Sequence, residues 1–171
     1  TSQNHKSGSD RVYEVAASLN YPFILNIQGD EPFVNIDDLL ALMSNFEAHK
    51  WADMGTIGHF SQNFDDYQKS QVVKIVQNQQ QQALYFSRAP IPNYSREGFA
   101  GFYHHQGIYT YRKEALQKYC AASPSELEKA EHLEQLRALE IGLRIYVENS
   151  GNSSFGIDTP DDLEVAHEHY R

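Results

Sequence analysis

Phe23-Ile-Leu-Asn-Ile-Gln-Gly-Asp-Glu-Pro32 is the stretch that decides the fold class. Its first five residues form a compact apolar run, and Gln28-Gly-Asp-Glu-Pro32 ends it. A short apolar run bounded by turn residues reads as a strand buried under helices, followed by a loop. Gly29 allows the backbone of that loop to approach a ligand closely. Upstream, Arg11–Leu19 carries Val12, Val15 and Ala16 at helical spacing. Downstream, Asn35 caps a helix of about ten residues through Asn45, with Asp37 and Asp38 placed favourably in its first turn.

The same alternation continues outward. Val72–Val76 and Ala83–Phe86 read as strands joined by Gln77-Asn-Gln-Gln-Gln-Gln82, a solvated hairpin tip. Pro90 and Pro92 break regular structure, and Gly98–Gly101 marks a loop. Gly107-Ile-Tyr-Thr-Tyr111 alternates as a strand does. Ser123-Pro-Ser-Glu126 reads as a helix start, with Ser123 as cap and Glu126 closing a capping box. That helix should run to about Glu140 and stop at Gly142, with apolar residues stepping by three from Leu127 to Leu139. Leu143–Val147 is the next strand, and Thr159-Pro160 starts a last helix. Helices alternating with strands predict an α/β fold with a mostly parallel sheet. A chain of 171 residues fits one domain. In such sheets ligands gather beyond the carboxyl ends of strands.

A net charge of −9 gives no electrostatic footprint for nucleic acid. An acidic protein holds a triphosphate only through local positive charge or a divalent metal. The single cysteine, Cys120, excludes an internal disulfide and a Cys-rich zinc site. There is no apolar run of membrane-spanning length, and residues 1–8 lack the apolar core of a signal peptide. Gly-x-Ser-x-Gly, Walker, Gly-x-Gly-x-x-Gly and His-Glu-x-x-His motifs are all missing.

Several residues are placed for chemistry. Asp30 directly follows the first strand, and Asp158 precedes a capped helix. Two carboxylates at one sheet edge suit Mg²⁺, though turns and helix starts also favour Asp. Arg88, just after a strand, and Arg137, in Leu133-Glu-Gln-Leu-Arg137, offer bidentate forks for carboxylate or phosphate, or structural ion pairs. His105 and Tyr109 share a strand face, with Gln106 on the other, and can hydrogen-bond a polyol or form a partly buried polar cluster. His104 and His105 are adjacent and should face opposite ways, a poor metal pair.

Six segments in order carry a resemblance: His5-Lys-Ser-Gly-Ser-Asp-Arg11, Asn26-Ile-Gln-Gly-Asp-Glu-Pro32, Leu84-Tyr-Phe-Ser-Arg-Ala89, Gly107-Ile-Tyr109, Leu133-Glu-Gln-Leu-Arg137 and Gly156-Ile-Asp-Thr-Pro160. Together they resemble the 3-deoxy-manno-octulosonate (Kdo) cytidylyltransferase, or CMP-Kdo synthetase, family over essentially the whole chain. The resemblance implies a Rossmann-like three-layer sandwich of the nucleotide-diphospho-sugar transferase kind. It implies the reaction of CTP with Kdo to give CMP-Kdo and diphosphate, for lipopolysaccharide biosynthesis. It also implies Mg²⁺ as cofactor, a homodimer and a cytoplasmic location.

By the same resemblance Asp30 and Asp158 match the metal-binding, catalytic aspartates. Ser7, Gly8 and Arg11 match the segment near the nucleotide. Gln28, Arg88, His105, Tyr109, Glu134 and Gln135 match positions around the sugar acid. Asp30 and Asp158 should therefore approach each other. Arg88, His105, Tyr109, Gln135 and Gln28 should line one pocket, with Arg88 paired to an anionic group. Three positions depart from the family's pattern: Ser9 for Thr, Gln106 for an apolar residue and Thr110 for Gly. The family opens with a βαβ unit carrying a basic phosphate loop, and residues 1–171 are expected to start after it. On that expectation the sheet exposes an edge, and this stretch alone aggregates and does not turn over CTP. The alternatives are a cytidylyltransferase for 8-amino-Kdo or a sialic acid, and a fragment without catalytic activity.

Overall fold

The computed structural model describes residues 1, 5, 8–29, 31–96, 98–152, 163–164 and 166–167. The apolar run Phe23–Ile27 forms β1, as its composition predicts. The other strands are β2 (Met54–Ser61), β3 (Lys74–Gln77), β4 (Ala83–Ser87), β5 (Phe102–Arg112) and β6 (Ile145–Ser150). Among the described residues these make one six-stranded sheet in the order β4-β3-β5-β2-β6, with β1 paired to β5. The helices are α1 (Gly8–Ala17), α2 (Ile36–Ala48), α3 (Phe64–Gln68), α4 (Lys113–Ala121), α5 (Glu126–Glu131) and α6 (Gln135–Glu140).

The ladders add detail to the expected sheet. β1, β2, β3 and β6 point the same way, so most strands do share a direction. But β5 runs against them through the middle of the sheet. Among the described residues only the β2–β6 ladder is parallel, so the sheet is mixed. Parallel neighbours need a crossover of a dozen or more residues, usually helical. β4 is antiparallel to β3, so β4 and β5 run the same way on either side of β3, and β5 is antiparallel to each strand it pairs with. β1 is also less covered than its apolar run suggests. Asn26 alone is buried in it, Ile27 is 44% exposed, and among the described residues β1 pairs only with β5.

Helices lie on both faces. Ala16 of α1, Leu116 and Tyr119 of α4, and Leu136 of α6 join Met54, Ile75, Tyr109, Tyr111, Ile145 and Val147 in one core. Leu42 and Phe46 of α2 join Ile57, Ile108 and Tyr146 in the other. Asn35 caps α2 as expected, accepting from Asp37 N–H at 2.8 Å.

The long helix expected from Ser123 to Glu140 is two. Ser125, not Ser123, is the cap, and Glu128 closes the capping box. His132 then adopts a left-handed conformation at φ 53°, and α6 starts anew. A stripe stepping by three drifts around one straight helix, so it cannot keep both ends buried. The break lets Leu133 and Leu136 enter the core while Leu127 stays 39% exposed. The helix expected at Thr159-Pro160 starts outside the described residues.

The glutamine-rich tip is not simply solvated. The β3–β4 hairpin crosses to the far edge of the sheet, where Val147 N–H donates to Gln81 O at 2.8 Å. Gln77 Nε2 donates to Asn149 Oδ1 at 2.8 Å. On entry to β5, Gly101 holds φ 115°, and a Cβ there would lie 2.4 Å from Phe60 Cζ and 2.9 Å from Ser61 O. Gly101→Ala should therefore destabilise by about 2–3 kcal/mol in urea unfolding, from left-handed strain plus overpacking. A change below about 0.5 kcal/mol would show that the loop relaxes freely.

Candidate active site

β1 and β3 pair with the same edge of β5, one after the other. Ile27 of β1 stops opposite Ile108, and Lys74 of β3 begins opposite His104. The chain leaves β1 at this gap, and a side chain fills it: Gly107 N–H donates to Glu31 Oε1 at 2.9 Å. A Cβ on Gly107 would lie 3.2 Å from that same oxygen, so a glycine suits the close approach. β5 is irregular at this point, because Thr56 and Ile57 of β2 pair with Tyr109 and Gln106. A bulge of this kind re-aims side chains. A cleft beyond a carboxyl strand end, where neighbouring strands part, is where open α/β sheets bind ligands.

His105 and Tyr109 form the floor. Their ring centroids are 5.4 Å apart, and Phe86 stands edge-on to His105 at 5.3 Å. Thr56 Oγ1 lies 2.8 Å from Ile108 O and 3.1 Å from His105 Nε2. The hydroxyl has one proton, which the shorter contact with a pure acceptor claims. His105 Nε2–H therefore donates to Thr56, and Nδ1 is left as an acceptor. Burial, with a minor part from His104, pushes the His105 pKa down to about 3, so the imidazole is neutral at working pH. Burial raises the Tyr109 hydroxyl well above its ordinary value, with Tyr111, Tyr119, Glu134 and Glu31 adding to the shift. A neutral imidazole and a protonated phenol are hydrogen-bonding groups suited to a polyol, not an acid–base pair.

Other expected residues gather around this floor. Gly8 opens α1 against the Gln28 side chain: a Cβ on Gly8 would lie 3.0 Å from Gln28 Oε1. Ser9 Oγ is 3.5 Å from Tyr111 Oη. Tyr119 donates to Glu134 O at 3.2 Å and to its carboxylate at 3.5 Å. Glu134 is exposed as a residue, yet desolvation of its carboxyl raises its pKa, with Arg137 pulling the other way. Arg137 is held by Glu128, Nε donating to Oε2 at 2.7 Å, and lies over the Tyr119 ring at 4.7 Å. It is thus a structural ion pair. Gln135 is 3% exposed, and its Nε2 has no hydrogen-bond partner.

Two further expected residues have their side chains bonded within the fold. Arg88, which directly follows β4, donates through Nε to Glu131 O and through Nη1 to Ser70 O, each at 3.0 Å. Arg11 reaches Thr1 Oγ1 at 3.2 Å and borders an apolar cavity of about 410 Å³ with Val12, Val15, Phe23 and Ile24. Ser7, Asp30 and Asp158 lie outside the described residues. Among the described residues no three His, Cys, Asp or Glu side chains group as a metal site.

Two departures from the family's pattern also find places. Thr110 Oγ1 meets Met43 Sδ of α2 at 3.4 Å, on the sheet face opposite the Tyr109 ring. Gln106 Nε2 donates to Asn152 O at 3.2 Å. Sequence reading missed Glu31, Thr56 and Asn26. A polar residue inside an otherwise apolar strand run was the signal available for Asn26.

Comparisons with known proteins agree with this geometry. A family model described as cytidylyltransferase matches residues 1–145. The 3-deoxy-manno-octulosonate cytidylyltransferase of Geobacter sulfurreducens is 40% identical over 178 residues, covering 96% of this chain and 70% of that protein. Its counterpart in Flavobacterium johnsoniae is 42% identical over 168 residues, covering 96% of this chain and 68% of that protein. A solved structure of CMP:2-keto-3-deoxy-manno-octonic acid synthetase complexed with CTP superposes with a TM-score of 0.91 at 34% identity, covering 98% of this chain and 69% of that one. HddC from Yersinia pseudotuberculosis shares the fold alone, at a TM-score of 0.67 and 10% identity.

Sheet and likenesses together define a nucleotidyltransferase of the α/β class. The chain belongs to the cytidylyltransferase family, and within it to the 3-deoxy-manno-octulosonate cytidylyltransferases. No helix among the described residues is long and apolar enough to cross a membrane.

Proposed function

We propose that the protein transfers CMP from CTP to Kdo, giving CMP-Kdo and diphosphate. The observation that carries this reading is the His105–Tyr109 floor at the gap between β1 and β3, in a chain that superposes on a CTP-complexed synthetase. The anomeric hydroxyl of the sugar acid attacks the α-phosphorus in line and diphosphate leaves. Little covalent chemistry falls to the protein, so its side chains act by positioning and electrostatics. Tyr109 donates and His105 Nδ1 accepts, which orients sugar hydroxyls. Gln28, beside the N-terminus of α1, stands between the sugar positions and the nucleotide segment. Gln135 and Glu134 supply an amide donor and a carboxylate acceptor from α6.

Asp30 and Asp158 are the proposed holders of Mg²⁺. Two carboxylates are hard oxygen donors of the kind that ion takes, and bound there it would offset triphosphate charge. We further propose a homodimer in the cytoplasm whose product enters lipopolysaccharide synthesis. The test is product formation with CTP, Mg²⁺ and, in turn, Kdo, 8-amino-Kdo and a sialic acid. Diphosphate release should be fastest with Kdo, by about a hundredfold over the sialic acid, since hydrogen-bonding sites reject analogues that leave them unpaired. Preference for either other sugar acid would replace this reading.

A further inference from the structure

Asn26 is the polar member of β1, and it is buried to 5% exposure. Its Nδ2 is enclosed and has no hydrogen-bond partner. Buried amide donors in folded proteins are almost always paired, because leaving one unpaired disfavours the fold. In the ligand-free protein Asn26 is therefore a liability, and a leucine would fill the same space in an apolar strand.

Its position gives the liability a purpose. Asn26 pairs across the ladder with Tyr109, so the two side chains share one face of the sheet. That face is the His105–Tyr109 floor. Two residues on, Gln28 faces the same way and meets the start of α1. A second unpaired amide donor, Gln135 Nε2, comes from α6, which packs on the same face. Two buried N–H donors without acceptors, on two elements flanking one aromatic floor, call for a ligand rich in oxygen.

We propose that Asn26 is a substrate-binding residue, its Nδ2–H donating to an oxygen of the sugar acid. This inference rests on the CMP-Kdo reading above. The sugar acid is the partner rather than the nucleotide because Asn26 opposes Tyr109 and lies deeper along β1 than Gln28, at the α1 boundary. The donor is satisfied only when substrate is bound, so the penalty of the free state is relieved on binding.

The test uses the full-length enzyme with Asn26→Leu, close in shape and without a donor, and Asn26→Ser, smaller. Ligand-free Asn26→Leu should melt at or above the wild-type temperature. The KM for Kdo should rise about tenfold or more, the loss of one buried hydrogen bond, while the KM for CTP stays within twofold. Unchanged Kdo kinetics in both variants would overturn the proposal. So would a rise confined to the CTP KM, which assigns the donor to the nucleotide. A lowered melting temperature in both variants with normal kinetics would make Asn26 purely structural and overturn it too. Wild-type enzyme that makes no CMP-Kdo would instead refute the proposed function, and this inference with it, before any variant is compared.

Discussion

Lys74→Met should lower stability by about 3–5 kcal/mol, a drop of roughly 10 °C in melting temperature for a chain of this size. Lys74 is fully buried, at 0% exposure. Its ammonium donates to Val72 O at 2.6 Å, to Arg88 O at 2.6 Å and to Lys69 O at 2.8 Å. Three N–H groups meet three carbonyls, so the charged form is the one this cage fits. Burial pushes the Lys74 pKa down to about 8, with Arg88 adding to that and Glu131 opposing it, which leaves the amine mostly protonated at neutral pH. Methionine fills similar space and removes the cost of burying a charge. It also leaves three carbonyls without their donor, at about 1–3 kcal/mol for each that water does not reach. The second effect wins because the cage joins three separate segments: the turn after α3, the entry to β3 and the exit from β4. Urea unfolding checks the stability. A loss under 1 kcal/mol would show that the carbonyls find water.

How much of this was legible in the sequence depends on which force set each element. β1 and the start of α2 were read to the residue, because a bounded apolar run and an Asx cap are local signals, while α2 runs three residues beyond the expected Asn45. The direction of β5 was not legible. Its alternation is the same whichever way it runs, and only its pairing with β1, β2 and β3 shows the direction. α4 was missed altogether. Ala115, Leu116 and Tyr119 give it a buried stripe, but Lys113–Ala121 has no side-chain cap, and it follows β5 with no turn signal between them. The break at His132 depends on a left-handed residue that composition does not mark.

At the site, His105 and Tyr109 were placed together correctly. Their hydrogen bonding to a polyol was foreseen, but the tautomer was not, because a hydrogen bond to Thr56, 49 residues away, sets it. The sequence offered Arg88 as an anion partner, and in the ligand-free fold its Nε and Nη1 donate to two carbonyls, contacts that only the fold reveals. Asn26 shows the same limit from the other side: a strand run announces burial, but only the ladder shows that its donor has no partner.

Acid should unfold this protein earlier than its carboxylates alone would require. Burial pushes His104 down to about 4, with His59 and Lys74 adding and Asp66 opposing. His105, deeper still, falls to about 3. In the unfolded chain both imidazoles take protons near the ordinary value of about 6.5. Between that value and about 4 the unfolded state thus binds up to two more protons than the folded one. Stability is fully present above about 6.5 and falls as pH drops through this window. The slope approaches about 2.7 kcal/mol per pH unit where both differ. Glu128, held low by its Arg137 partner against the pull of its own burial, adds to the loss at lower pH. Glu134, raised by desolvation, works against it, since the folded state then takes up a proton first. Two histidines outweigh one carboxyl, and the two are adjacent, so they titrate as a coupled pair. Urea titrations at pH 7, 6 and 5 should show the midpoint falling at each step, and His104→Gln should remove about half of that slope. A flat profile would mean that water reaches both rings. The same depressed values bear on turnover: His105 stays neutral throughout, so the pH–rate profile should carry no inflection from it between pH 5 and 8. Any acidic fall in rate over that range should track the loss of folded protein, measured in parallel.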